Sequence, residues 1–205
     1  MLTARITSES LPIVDNVTLY NNLFSIKFRG NKYLVTCHYN IPIKEINIEG
    51  IDNLNNYSVY SDIYIDCIWN DVLILNPIIE DKYIDSFEKF KIDLVPVNTL
   101  VFFDSNNENF AVIEEIVFDS LNNNPLIAYY KINSKTRLNI GQSVYIILNN
   151  KPTLVGMVTY LNLNGDEYEI LVLPSYYIIK TILRKNSNEI YYPKLDLNMK
   201  ISSID

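Results

Sequence analysis

The chain has one histidine, two cysteines, one tryptophan and five glycines among 205 residues, and fewer basic residues (17) than acidic ones (24). Each scarcity excludes something. With His38 as the sole histidine, any histidine-dependent chemistry must use it. Two cysteines, Cys37 and Cys67, cannot make a disulfide framework and offer no confident metal site, so they are read as reduced, buried thiols. The net charge of −7 and the absence of a Lys/Arg cluster argue against a phosphate-backbone partner, so nucleic acid is not expected. No apolar run reaches the roughly 18 residues of a membrane span. The start, Met-Leu-Thr-Ala-Arg-Ile-Thr-Ser-Glu, lacks a signal-peptide core. The expectation is a protein that begins near Met1 and works inside a cell or a virus particle, without membrane contact. The Asn-X-Ser/Thr patterns at Asn16 and Asn56 are read as chance in an asparagine-rich chain, whose Asn, Ile, Lys and Tyr bias points to an AT-rich coding genome.

What is present is apolar and β-prone. Ile, Leu, Val, Tyr and Phe dominate a 48% hydrophobic composition, enough to bury one full core or two small lobes. Apolar runs of five to eight residues recur between turn signals, the pattern of a sandwich or barrel. Strands are expected at Leu23–Phe28, Lys32–Thr36, Asp62–Ile68 and Val72–Leu75, with Arg29-Gly30-Asn31 as a tight hairpin turn. Glu88–Asn98 carries Pro96 and several charges without a periodic apolar face, and reads as the connection between lobes. A second set of strands follows at Leu100–Phe103, Ala111–Phe118, Leu126–Ile132, Val144–Leu148, Leu154–Leu161 and Tyr168–Leu173, with polar turns at Asn106–Asn109 and Asn122–Pro125. Pro174-Ser175 then opens a helix over Tyr176–Arg184, expected to pack on the outside of the second lobe. This divides the chain into an N-terminal lobe (1–95), a C-terminal lobe with its helix (96–183) and a tail (184–205), which could be a docking strand or an extension.

Three short stretches carry chemistry in the order His, Asp, Ser: Leu34-Val-Thr-Cys-His38, Asp71-Val-Leu-Ile-Leu75 and Ile140-Gly141-Gln142-Ser143. The hairpin Phe24–His38 resembles that of trypsin-like serine peptidases, particularly the HtrA-like or viral branch, although one residue rather than two separates Thr36 from His38. Asp71-Val-Leu-Ile-Leu75 resembles the family's Asp-Leu-Ala-Leu-Leu strand, Gly141-Gln-Ser143 its Gly-x-Ser nucleophile loop, and Gly156-Met-Val-Thr-Tyr160 its Gly-Ile-Val-Ser-Trp strand. The resemblance implies two six-stranded antiparallel β-barrel lobes and a closing C-terminal helix. It implies a catalytic triad of His38, Asp71 and Ser143, an oxyanion hole from the N–H groups of Gly141 and Ser143, and hydrolysis of peptide bonds through an acyl-enzyme. No cofactor is implied, and the partner is a polypeptide.

On the same resemblance Thr159 supports the aspartate and Tyr160 walls the specificity pocket. Arg137 could sit at that pocket's base and favour an acidic side chain, or be a solvated turn residue. Gln142 replaces the aspartate that, in digestive enzymes, pairs with a newly cut N-terminus, so activation by cleavage is not expected. The nucleophile loop departs most from the family: Ser143 is followed by Val144, not glycine, and valine strongly disfavours positive φ. The stretch Leu138–Ile147 also resembles the strand that opens the second lobe, where nothing catalytic sits. The alternative reading is therefore a catalytically inactive peptidase fold used for binding or structure, such as a component of a virus particle.

Overall fold

The structure is a computed structural model that describes residues 3–9, 16–37, 43–48, 58–61, 72–76, 85–104, 107–119 and 127–183. The first lobe contains β1 (Thr3–Glu9), β2 (Asn16–Phe28), β3 (Asn31–Cys37), β4 (Ile43–Ile48), β5 (Ser58–Ser61), β6 (Val72–Asn76) and the short β7 (Ser86–Phe87). Among the described residues these form one sheet in the order β4-β1-β2-β3-β6-β5, with β7 beside β2. All pairings are antiparallel except β2 with β7, which is parallel. The β2–β3 hairpin turns at Arg29-Gly30, both with positive φ (49° and 81°), a primed turn that matches strand twist. The expected strand at 62–68 lies outside the described residues.

The second lobe is a closed barrel in the order β10-β13-β12-β11-β8-β9. Its strands are β8 (Leu100–Phe102), β9 (Phe110–Asp119), β10 (Ile127–Ser134), β11 (Ser143–Leu148), β12 (Lys151–Asn164) and β13 (Glu167–Pro174). All six coincide with sequence-predicted strands to within about three residues at each end. The hairpin between β11 and β12 turns at Asn149-Asn150, with φ of 50° and 58°; asparagine tolerates this region, so two polar residues suffice.

The apolar runs are continuous because both faces of these strands are buried. Val144 and Ile146 of β11, Val155 and Val158 of β12, and Ile170 and Val172 of β13 fill the barrel. Alternate residues of the same strands, Tyr145, Leu154, Met157 and Leu173, join Phe24, Ile26, Val35, Val72, Ile74 and Phe87 of the first lobe in one shared core. The helix α1 (Ser175–Leu183) buries Tyr176, Tyr177, Ile178 and Ile179 in that shared core and packs on β6 of the first lobe as well as on β12 and β13. It bridges the lobes rather than decorating the outside of one.

Segment 88–98 also does more than connect. Leu94 and Val95 lie in the barrel core, Lys91 N–H donates to Leu154 O (2.8 Å), and Val95 N–H donates to the Tyr130 hydroxyl (2.9 Å). Its two core residues are adjacent, not periodic, which is why no apolar face was legible. Tyr130 is buried in the barrel, and desolvation pushes its phenol pKa up from 10.0. Because the folded-state value is raised, the folded chain holds a proton that the unfolded chain releases, so this contribution is complete below pH 10 and is lost as pH rises above it.

Tyr130→Phe should strand the Val95 N–H and lower stability by roughly 1–3 kcal/mol in urea denaturation at neutral pH, with a flatter loss of stability on the alkaline side. Thr153 makes the opposite case: its buried hydroxyl has no hydrogen-bond partner. Thr153→Val should therefore raise stability by roughly 0.5–1 kcal/mol in the same assay.

Candidate active site

The proposed site lies where the β10–β11 connection crosses to the first lobe. Asn22 N–H of β2 donates to Ile140 O (2.8 Å), and the Thr36 hydroxyl of β3 donates to Asn22 O (2.7 Å). Gly141 fits against both: a Cβ there would lie 2.2 Å from Asn22 O and 2.9 Å from Thr36 Oγ1, and its φ is +84°. Glycine is required at this position twice over, by close approach and by conformation.

Gln142 holds the loop shape. Its Nε2 donates to Phe103 O (2.9 Å), its Oε1 accepts from Asn139 N–H (3.0 Å), and its own N–H donates to Asn139 O (3.1 Å). Sequence alone shows Gln142 only in place of an aspartate, since its amide partners, Phe103 O and Asn139 N–H, are set by the fold.

Ser143 heads β11, opposite Met157 of β12, and is 3% exposed. By strand alternation it shares a face with Tyr145, the face turned toward the first lobe, while Val144 points into the barrel. Val144 is ordinary extended strand, so no positive φ is asked of it here. Gly141 N–H donates to Val158 O (2.8 Å), and Val158 N–H donates to Gln142 O (2.9 Å). The Gly141 N–H expected to face an oxyanion is thus taken up by the sheet in this conformation, and an oxyanion role would require that bond to open.

His38 and Asp71 lie outside the described residues. Their chain neighbours Cys37 and Val72 are paired across β3 and β6, and both are buried. Thr159 is buried at an irregularity in the β12–β13 register, where its hydroxyl donates to Leu171 O at 3.4 Å. Tyr160 follows at 47% exposure, and Arg137 is exposed on the β10–β11 connection. Among the described residues, no group of three or more His, Cys, Asp or Glu could hold a metal ion.

A cleft of about 410 Å³ opens elsewhere, at the hairpin end of β11, lined by Asp85, Ser86, Phe87, Asn107, Tyr145, Ile147, Asn150 and Pro152. Burial, and secondarily the carboxylates of Asp104 and Asp85, push the Tyr145 phenol up to about 12. Its hydroxyl is held by Asp104 O and by Asn107 Oδ1 (2.8 Å).

Gly141→Ala should lower stability by about 2–4 kcal/mol, read as a fall in the urea midpoint, since either the Asn22 carbonyl or the loop must move. A change below about 0.5 kcal/mol would show that the crossing is not tight.

No protein-family model matches the sequence, and no curated protein matches it. Solved structures do resemble it. The Rv3671c protease from M. tuberculosis in its active form superposes with a TM-score of 0.54 at 15% identity, covering 94% of this chain and 84% of that one. The inactive form of Rv3671c carrying a serine-to-alanine substitution gives 0.52 at 16% identity, covering 92% and 89%. A further inactive form gives 0.50 at 15% identity, covering 90% and 89%. At such identities the likeness is one of fold, and the two-lobed, mainly β architecture with a short C-terminal helix is accordingly a trypsin-like fold.

Proposed function

We propose that this chain is a polypeptide-binding protein built on a trypsin-like peptidase fold and without acyl-transfer activity. The observation that carries this reading is the state of the 139–143 loop. Its Gly141 N–H and Gln142 C=O are bonded to Val158 of β12, and the residues that meet β2 and β3 at the crossing, Ile140 and Gly141, carry no nucleophilic side chain. An oxyanion hole needs donors held open toward the reacting carbonyl; losing one such donor costs on the order of 10²–10³ in rate. Ser143 sits beyond the crossing, at the start of β11.

A second reading keeps the enzyme. Two observations favour it: Ser143 alternates along β11 with Tyr145, which packs in the core shared with the first lobe, and the residues paired at the ends of β3 and β6, Cys37 and Val72, are the chain neighbours of His38 and Asp71. In that case the Ser143 hydroxyl attacks the scissile carbonyl as His38 takes its proton, Asp71 orients the imidazole, and His38 returns the proton to the leaving amine before water hydrolyses the ester. Thr159, Tyr160 and Arg137 then line the substrate cleft.

The test is covalent labelling of the full chain by a fluorophosphonate probe, read by intact mass, for the wild type, Ser143→Ala and His38→Ala. The expected result is no adduct on a protein with a cooperative unfolding transition. One adduct that disappears in both variants would overturn the binding reading and establish the serine endopeptidase.

A further inference from the structure

The cleft lies along β11 beyond the 139–143 loop. Of its lining residues on that strand, Tyr145 is two positions past Ser143, roughly 7 Å, and Ile147 four positions, roughly 13 Å. Its walls come from both lobes: Asp85, Ser86 and Phe87 from the first, and Tyr145, Ile147, Asn150 and Pro152 from the β11–β12 hairpin. One side is aromatic and apolar, with the Phe87 and Tyr145 rings 5.7 Å apart between centroids. The Tyr145 ring cannot swing away, because its hydroxyl is bonded to Asp104 O and Asn107 Oδ1 and its other side rests on Phe102 (6.0 Å).

Two carboxylates stand near this ring, in different states. Asp104 is consumed by its own loop, accepting from Glu108 N–H (3.0 Å), Asn109 N–H (3.2 Å) and Asn109 Nδ2 (2.6 Å). Asp85 has its backbone fixed, its carbonyl accepting from Ser25 N–H (2.7 Å), while no Lys or Arg among the described residues forms an ion pair with its carboxylate. Lys151 lies between Asn150 and Pro152 in sequence but is exposed and does not line the cleft. The cleft therefore offers a half-buried carboxylate, amide oxygens and the edges of two packed rings, with no Lys or Arg among its described lining residues, on a chain of net charge −7.

We propose that this cleft binds a cationic side chain, an arginine or lysine of a polypeptide partner. The aliphatic stem would lie along Ile147 and Pro152, and the charged head would meet the Asp85 carboxylate and the Asn107 and Asn150 amide oxygens. The proposal rests on the polypeptide-binding reading only for its ligand class, and its test does not involve Ser143.

The experiment is a titration of the isotope-labelled full chain with Nα-acetyl-arginine amide and Nα-acetyl-lysine amide, followed by amide NMR shifts, with Nα-acetyl-norleucine amide as the neutral control. The expected result is saturable shifts at Ser86, Phe87, Tyr145 and Ile147 with a dissociation constant on the order of millimolar for the cations, weakened about two- to fivefold in Asp85→Asn. Should that variant not fold, raising salt from about 0.05 to 0.5 M is expected to weaken the cations and leave norleucine unchanged. Absence of shifts, equal binding of norleucine, or indifference to both Asp85→Asn and salt would overturn the proposal. Loss of cation binding alongside an absent fluorophosphonate adduct would remove this site while leaving the inactive reading of Ser143 intact.

Discussion

The approach of Gly141 to the backbone of β2 is the contact on which the join between the lobes depends. Space for a single hydrogen in place of a Cβ lets the 139–143 loop reach Asn22 O and Thr36 Oγ1. With that gap closed, three short hydrogen bonds become possible at once: Asn22 N–H to Ile140 O, Thr36 hydroxyl to Asn22 O, and Gly141 N–H to Val158 O. The last returns the chain to β12 and so sets where β11 starts. Gln142 then fastens the same turn to Phe103 at the end of β8. A bulkier residue at 141 would disturb the lobe contact, the barrel closure and the position of Ser143 together.

The apolar counterpart of this polar seam is the shared core. It is built from alternate residues of strands whose other face fills the barrel, and α1 seals it with Tyr176, Tyr177, Ile178 and Ile179. Two hydroxyls keep that helix in register without exposing polar groups: Tyr177 accepts from Ala128 N–H (3.0 Å), and the fully buried Ser175 donates to Lys91 O. The Ser175 bond also draws segment 88–98 onto the barrel, which explains why a charged, proline-containing stretch with no periodicity is nevertheless ordered. Buried tyrosines suit such a seam, because each supplies a large apolar ring and one hydroxyl that can satisfy a backbone group.

The strands of the second lobe were legible because burial on both faces writes long apolar runs bounded by Asn, Gly and Pro, and the run lengths carry over directly into β8–β13. The Arg29-Gly30 turn was legible for the same local reason, a glycine where positive φ is needed. What escaped was non-local. Nothing in Tyr176–Leu183 says that its apolar face covers two lobes, nor in Leu94-Val95 that two adjacent residues enter a core whose remaining members lie after residue 100. Of the candidate site, the three motifs could be read from the chain, but the local shape of Gly141-Gln142-Ser143 could not: Gly-x-Ser is compatible both with an open loop and with the opening of a strand, and its conformation is set by Asn22, Thr36 and Val158, which are distant in sequence. Residues such as Asp85 and Asn107 carry no motif at all and become neighbours of Tyr145 only through the fold.

The loop and the cleft illustrate opposed uses of backbone polar groups. A catalytic loop must hold N–H groups unsatisfied until a substrate arrives, and each buried group left so costs about 1–3 kcal/mol in the free protein. In the 139–143 loop that cost is avoided, since Gly141 N–H is bonded to Val158 O and Gln142 serves the loop with both ends of its amide. Rigidity at the crossing is gained by these same bonds. A charged ligand site in general needs no such open backbone, because a partly exposed carboxylate is satisfied by water until a cation displaces it. The bonds that fix the 139–143 loop and the groups that line the cleft thus lie along the same strand but draw on different parts of the chain, backbone in the first and side chains in the second.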